Sequence, residues 1–333
     1  MLRKPKILVV GSFVMDLIVS TRKVPNSGET VLGEKFTTAP GGKGANQAVQ
    51  AARLGADVTM VGKVGADSFG QELIASAKAA GIHTEHIAIA ENVSSAIGNI
   101  VLEVAEGKKS RNRIIVVPGA NFAITPDDVA FLKEEIAGYD MVILQLEIPM
   151  EINELVAKYA YDKGVPVMLN SAPSAPLSKE LLGRLAYISP NEHEAADITG
   201  VTIRTDDEHR MADVKKATDA LMNLGVQNAI ITLGSNGAVV ANKGELLYSP
   251  CVDVVEVKDP TAAGDSFVGG FCTGYCAGLT HAQALEFASY VATVTVSRMG
   301  AQPSLPTIDE VIQLMKEQHF DGFDLGILEP LRG

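Results

Sequence analysis

Two short segments hold the residues best suited to chemistry. The first, Asp259-Pro260-Thr261-Ala262-Ala263-Gly264-Asp265, lies between a β-like run, Val252–Val257, and an apolar segment with helical spacing, Ala263–Ala277. Small residues at 262 to 264 permit a tight turn whose backbone amides converge at a helix N-terminus. That geometry holds an anion and stabilises charge developing on a transferred phosphoryl group. Asp265 in this turn can take a proton from a substrate hydroxyl, or it can simply cap the helix. The second segment, Gly41-Gly42-Lys43-Gly44-Ala45-Asn46, opens another helix. Adjacent glycines let backbone approach a polyol closely while Lys43 and Asn46 offer hydrogen bonds; the plainer alternative is a turn with Lys43 in water.

Further polar residues fall at the ends of apolar runs. Asp16 follows the first run and Glu147 follows Met141–Leu146, the carboxyl ends at which open α/β sheets place ligands, although each can equally be a solvated loop carboxylate. Asn191 and Glu194, three apart, share a helix face and can arrange Mg2+ and its water, or can cap the helix. Thr232-Leu233-Gly234-Ser235-Asn236-Gly237 is a strand end and a Gly-Ser turn, able to bind nucleotide phosphates or merely to connect strands. Other signatures are excluded. Gly42-Lys43 is followed by Gly44, so there is no phosphate loop of the GxxxxGK[ST] type; no GxGxxG follows Gly11; His193-Glu194 lacks the second histidine of a zinc protease.

The elements that must position these residues alternate. Short apolar runs at 7–10, 58–61, 141–146, 165–169, 186–188 and 229–233 are separated by helical patterns at 45–54, 69–80, 126–136, 152–161 and 211–224. Three further helices are expected at 263–277, 281–298 and 308–317. This alternation predicts an α/β fold with a central, mostly parallel sheet covered on both faces. Two stretches, about 14–38 and 95–118, read as antiparallel pairs, the second joined by Glu106-Gly107-Lys108-Lys109. They predict a small β-sheet standing as a lid over the glycine motif. We expect one catalytic domain over 1–318 and a tail, 319–333, whose packing the sequence leaves open.

With 333 residues and 47% hydrophobic residues, the chain has enough apolar material for a core. Its net charge of −12 argues against nucleic-acid or anionic-membrane partners but not against a phosphorylated ligand held by amides. No apolar run is long enough to span a bilayer, and three cysteines fit a reducing, cytoplasmic setting. Cys272 and Cys276 lie one helical turn apart among aromatics, as core residues rather than a metal site.

Taken together, Gly41–Asn46, Asn191-x-x-Glu194, Asp259-x-x-Ala-Ala-Gly264-Asp265 and Gly300-Ala-Gln-Pro-Ser304 resemble the ribokinase-like family of ATP-dependent carbohydrate kinases, over about residues 6–315. Gln145-Leu146-Glu147 adds to the likeness. The resemblance implies transfer of the ATP γ-phosphate to the O5 hydroxyl of a pentose. Asp265 would be the general base, and the amides of Ala262, Ala263, Gly264 and Asp265 the anion hole. Asp16, Gly42, Lys43, Asn46 and Glu147 would hold the sugar. Asn191 and Glu194 would position Mg2+, while Thr232, Gly234, Ser235 and Gly237 would line the nucleotide. Ser289 falls where relatives often carry an adenine-contacting residue. A monovalent-cation (potassium) site would involve Asp259, Thr261, Thr295, Arg298, Gly300 and Ser304, and the lid would double as a homodimer clasp. Two departures matter. Pro260 replaces a hydroxyl residue beside Asp259, which weakens the expectation of potassium dependence. Val14 stands where ribose-phosphorylating relatives carry Asn, leaving D-ribose and 2-deoxy-D-ribose as rival substrates, with another sugar, a nucleoside or a non-catalytic binding role as further alternatives.

Overall fold

The computed structural model describes residues 2–104 and 111–332. The chain begins with β1 (Lys6–Val10), β2 (Val14–Thr21), β3 (Lys35–Gly41) and α1 (Lys43–Arg53). There follow β4 (Asp57–Gly65), α2 (Ser68–Ala79), β5 (Ile87–Ala90), β6 (Ile97–Glu103) and β7 (Arg111–Val117). The middle holds α3 (Leu132–Glu135), β8 (Met141–Gln145), α4 (Met150–Asp162), β9 (Val167–Asn170), α5 (Lys179–Leu182), β10 (Tyr187–Ile188), α6 (Glu192–Thr199), α7 (Asp207–Asn223) and β11 (Asn228–Thr232). A hairpin, β12 (Ala238–Asn242) and β13 (Glu245–Ser249), precedes α8 (Ala263–Ala277), α9 (His281–Val296) and α10 (Ile308–Glu317).

Nine strands form the main sheet in the order β13-β12-β11-β10-β9-β8-β1-β4-β5. All neighbours from β11 to β5 pair in parallel; β12 runs antiparallel to both β11 and β13. Because side chains alternate across a strand, a strand covered on both faces must be apolar throughout. β1 obeys this: Ile7 and Val9 join the core shared with α1, α8 and α9, while Leu8 and Val10 join the core shared with α4 and α7. β1 lies between β4 and β8, so the chain leaves it first to one side and later to the other. The crevice at the carboxyl ends of β1 and β8 is therefore the switch point at which such sheets bind ligands.

The second sheet has the order β3-β2-β6-β7. Its two antiparallel pairs were expected; the parallel β2–β6 ladder that joins them places Asp16 opposite Gly98. The charged turn expected at 106–109 lies outside the described residues.

Several expectations need correction. The helix expected over 126–136 is two 3-10 turns around the short α3. Asp128 accepts from the Thr125 amide (2.7 Å) and Lys63 Nζ (2.8 Å), which pins a tight first turn, and i, i+3 apolar spacing suits either helix type. Val252–Val257 is not a strand: Val254 and Val257 are exposed, and the segment runs along α9, where Thr293 Oγ1 donates to the Val252 carbonyl. The hairpin of β12 and β13 and the short β5 were not anticipated as strands. The tail packs: Leu328 and Leu331 are buried in the core, and the Phe320 ring stands edge-on to Tyr290. Among the described residues no helix is long and apolar enough to cross a membrane.

Candidate active site

At the carboxyl ends of the parallel strands lies a polar cleft of about 240 Å3, lined by Lys43, Asn170, Asn191, Glu194, Thr232 and the turn from Pro260 to Asp265, among others. A larger, open groove between α7 and the β12–β13 turn carries none of the residues that the motifs single out.

α8 begins at this cleft. Ala262, its N-cap, adopts a left-handed conformation (φ 61°), and no side chain caps the helix. The Ala263 amide donates to the Pro260 carbonyl (3.2 Å), so within the expected anion hole the Gly264 and Asp265 amides are the better placed donors. Asp265 does not cap the helix. Its carboxylate turns toward α1, where Oδ2 accepts from Asn46 Nδ2 and Oδ1 from Gln47 Nε2, each at 2.9 Å. Burial pushes the Asp265 carboxyl above its ordinary pKa, Lys43 and the two amides pull it back, and Glu147 pushes it up again.

Lys43 opens α1 directly after Gly42, whose φ of 93° and crowding against Val14 leave no room for a side chain. Its backbone amide donates to Glu147 Oε2 (3.0 Å). Burial disfavours the Lys43 ammonium, but Asp265, Glu147 and Glu194 outweigh it and raise its pKa. Lys43 thus faces the carboxyl groups of Asp265, Glu147 and Glu194, which favour its charged form. Asn46 is buried, and its Oδ1 is an acceptor with no protein partner, beside the Asp265 carboxylate. Such an acceptor suits a ligand hydroxyl, because a buried polar atom left unpaired is costly.

Asp16 sits in β2 with its carboxylate against two glycines. A Cβ at Gly98 would come within 2.4 Å of Oδ1, and one at Gly41 within 2.9 Å of Oδ2. Burial, then the neighbouring Glu147, raises its pKa to about 6. Val14, two residues earlier, is buried beside the same glycines.

Asn191 and Glu194 do form the capping box of α6. Asn191 Oδ1 accepts from the His193 and Glu194 amides, and Glu194 accepts from the Asn191 amide (3.0 Å). Both also line the cleft, so capping and cleft lining coexist. Burial raises the Glu194 pKa against the opposing pull of the Asn191 amide and Lys43. Thr232 ends β11 in the cleft, while Gly234, Ser235 and Gly237 form the following turn. Ser289 is buried in α9 with its hydroxyl donating to the Leu285 carbonyl (3.0 Å), away from the cleft lining.

The loop before α8 is tied to the loop after α9. Asp259 accepts from the Thr261 amide and hydroxyl on one oxygen and from the Gly300 amide (2.9 Å) on the other. Of the other expected cation ligands, Thr295 and Ser304 donate to local carbonyls, and Arg298 pairs with Glu310 at 2.6 Å. Hydroxyls that donate in this way keep oxygen lone pairs, so Asp259 would supply the charged oxygen for an ion, and the Thr295 and Ser304 hydroxyls and backbone carbonyls neutral ones. Among the described residues no cluster of three or more His, Cys, Asp or Glu could hold a metal ion by itself.

Three site residues were not singled out from the motifs for a role. Ser12, fully buried, donates to Glu147 Oε2 (2.5 Å) and accepts from the Gly44 amide (3.1 Å), joining the β1, α1 and β8 segments. Gln47 touches Asp265, and its place directly after Asn46 was the available signal. Gly98 makes room for Asp16, with no signal in the sequence.

Several known proteins resemble this chain over most of its length. A Bacillus subtilis protein named ribokinase is 41% identical, with 93% of this chain and 99% of the relative covered. A Salmonella typhi deoxyribokinase is 32% identical, covering 91% and 96%. The solved structure of Arabidopsis thaliana ribokinase complexed with ribose and ATP matches with a TM-score of 0.84 and 32% identity, covering 94% of this chain and 99% of the other. Residues 4–308 match the pfkB family carbohydrate kinase description. A buried aspartate at an uncapped helix start, a lysine facing it and a match that takes in every cleft residue lead to one conclusion: the chain belongs to the pfkB family of carbohydrate kinases.

Proposed function

We propose that the protein phosphorylates the O5 hydroxyl of D-ribose with ATP, giving D-ribose 5-phosphate and ADP. The observation that carries this reading is the buried Asp265 carboxylate at the start of α8, beside Lys43 and the unpartnered Asn46 Oδ1. In the reaction the sugar O–H bond breaks, its proton passes to Asp265, O5 bonds to the γ-phosphorus and ADP leaves. The Gly264 and Asp265 amides and the Lys43 ammonium face the charge that develops on the phosphoryl oxygens. Asp16, Asn46, Glu147, Gly42 and Lys43 orient the sugar. Thr232, Gly234, Ser235 and Gly237 border the nucleotide. Asn191 and Glu194 offer hard oxygens suited to Mg2+ through water, which would neutralise phosphate charge.

Potassium activation through the Asp259 loop is a further part of the proposal, resting on the Asp259 bonds to Thr261 and Gly300. The lid is proposed to cover the sugar. Its exposed apolar residues Phe36, Ile114, Ile115, Val116 and Val117 favour a homodimer through that sheet; light scattering showing only monomer at micromolar protein would overturn it. A cytoplasmic location is part of the proposal, supported by the three free cysteines and by the use of ATP.

One observation favours 2-deoxy-D-ribose as the substrate: Val14, buried next to Asp16, offers no hydrogen bond to a hydroxyl. The greater identity to a ribokinase than to a deoxyribokinase favours ribose. Initial rates of ADP release with both sugars, in potassium and sodium buffers, decide the matter. A higher kcat/KM for ribose supports the proposal; the reverse order makes Val14 the specificity residue.

A further inference from the structure

A chain of buried amides runs from the centre of the sheet to Asp265. Gln145, at the end of β8, donates from Nε2 to Gln47 Oε1 (2.7 Å); Gln47, on α1, donates from Nε2 to Asp265 Oδ1 (2.9 Å). Gln47 and Gln145 are both fully buried. We propose that Gln47 and Gln145 are positioning residues: Gln145 holds the Gln47 amide in place with its donor end on Asp265, and so sets how readily Asp265 takes the substrate proton.

A primary amide has a donor end and an acceptor end of nearly equal shape. Turned over, Gln47 would set Oε1 against the Asp265 carboxylate and its NH2 against the NH2 of Gln145. A turned Gln145 would relieve the second clash, but away from water the oxygen–carboxylate clash at Asp265 is not relieved by solvent, so the chain has one low-energy sense. Gln145 anchors it. Its backbone carbonyl accepts from Asn153 Nδ2 (2.9 Å), and its side chain is wedged against Gly11, where a Cβ would come within 1.9 Å of Oε1. Oε1 itself has no partner among the described residues, so Gln145 holds the chain in place while the Asp265 carboxylate sets its sense. With Asn46 on Oδ2 and Gln47 on Oδ1, each carboxylate oxygen has one amide donor and a lone pair left for the substrate hydroxyl. The charged groups facing Asp265 are Lys43 from α1 and Glu147 from beyond β8. They set the local field but not the direction of the Gln47 amide. During transfer the proton moves from the sugar oxygen to Asp265, and the amide protons stay where they are.

This inference rests on Asp265 being the base, and its test separates the two. The dependence of kcat on pH reports groups in the bound complex. Gln47→Met removes a donor to the carboxylate and should move the acid limb of kcat upward by about one pH unit. Activity should then recover at high pH, with sugar KM changed by less than about threefold. Gln145→Met should move the limb the same way by less. The double variant should shift it no further than Gln47→Met alone, because Gln145 acts only through Gln47. If the methionine variants do not fold, Gln47→Glu keeps length and polarity, and its carboxyl, sharing a proton with Asp265, should also raise the limb. A limb that stays in place while kcat falls equally at all pH values, or shifts that add in the double variant, would overturn the relay. Asp265→Asn run beside them tests the base: retained turnover there sinks that reading, whatever the glutamines do.

Discussion

Replacing Gly98 with alanine tests how the lid strand shapes the sugar site. Gly98 is paired with Asp16 across the β2–β6 ladder, so neither backbone can retreat without breaking the sheet. The new Cβ would stand 2.4 Å from Asp16 Oδ1, whereas ordinary contacts begin near 3.4 Å. The carboxylate must therefore swing by about 1 Å, enough to misplace a hydrogen bond whose useful length spans only a few tenths of an ångström. A hydrogen bond to a charged acceptor contributes about 1.5–3 kcal/mol. At about 1.4 kcal/mol per tenfold, sugar KM should rise about 10- to 100-fold. ATP KM should stay within about twofold, because Asp16 lies on the lid side of the cleft, away from Thr232 and Asn191. Steady-state kinetics on ribose and ATP, with a thermal melt to show the ladder intact, measures this. A folded Gly98→Ala protein with unchanged sugar KM would refute the placement of Asp16 in the sugar site.

The raised pKa of Asp16, about 6, gives a second prediction. Sugar kcat/KM should fall as pH drops through about 6 and the charged acceptor is lost, and Asp16→Asn should lower affinity and leave only the part of that limb that belongs to Asp265. The sign for stability is opposite: a carboxyl raised from 3.8 stabilises the fold below that value and loses the contribution as pH rises through about 6. Asp16→Asn should therefore melt higher than wild type at neutral pH. Ser12→Ala removes the bridge between Glu147 and the Gly44 amide and leaves a buried donor unpaired, a loss of about 1–3 kcal/mol readable by urea unfolding. At Gly55 the backbone has φ 94° and a Cβ would meet the Leu331 carbonyl oxygen at 2.0 Å. Gly55→Ala should cost at least about 2 kcal/mol and loosen the tail, detected as a lower Tm and faster proteolysis near residue 320.

Much of this arrangement was legible because it rests on local chemistry. The glycine motif, the small residues before Asp265 and the apolar runs ending at Asp16 and Glu147 each signal a strand end or helix start. The rule that open sheets bind ligands there brings them together. α8 and α10 begin and end where their apolar spacing says. Long-range pairing was not legible: nothing in Val14–Thr21 announces that it runs parallel to Ile97–Glu103, yet that ladder places Gly98 against Asp16. Val252–Val257 has strand composition but pairs with no strand among the described residues; it lies beside α9 with Val254 and Val257 exposed. Gln47 and Ser12 were missed for the same reason. A lone amide or hydroxyl in an apolar helix or loop acquires a role only from partners about 100 or more residues away, at Gln145, Glu147 and Asp265.

The central claim is that Asp265 takes the proton from a sugar hydroxyl during phosphoryl transfer. Its most direct test is Asp265→Asn, which keeps size, removes the base and costs one of the two amide bonds from Asn46 and Gln47. ADP release with Mg2+ and ATP should fall by at least about a hundredfold with ribose and with 2-deoxyribose, while calorimetry still shows the preferred sugar bound. Turnover close to wild type in this variant would contradict the account.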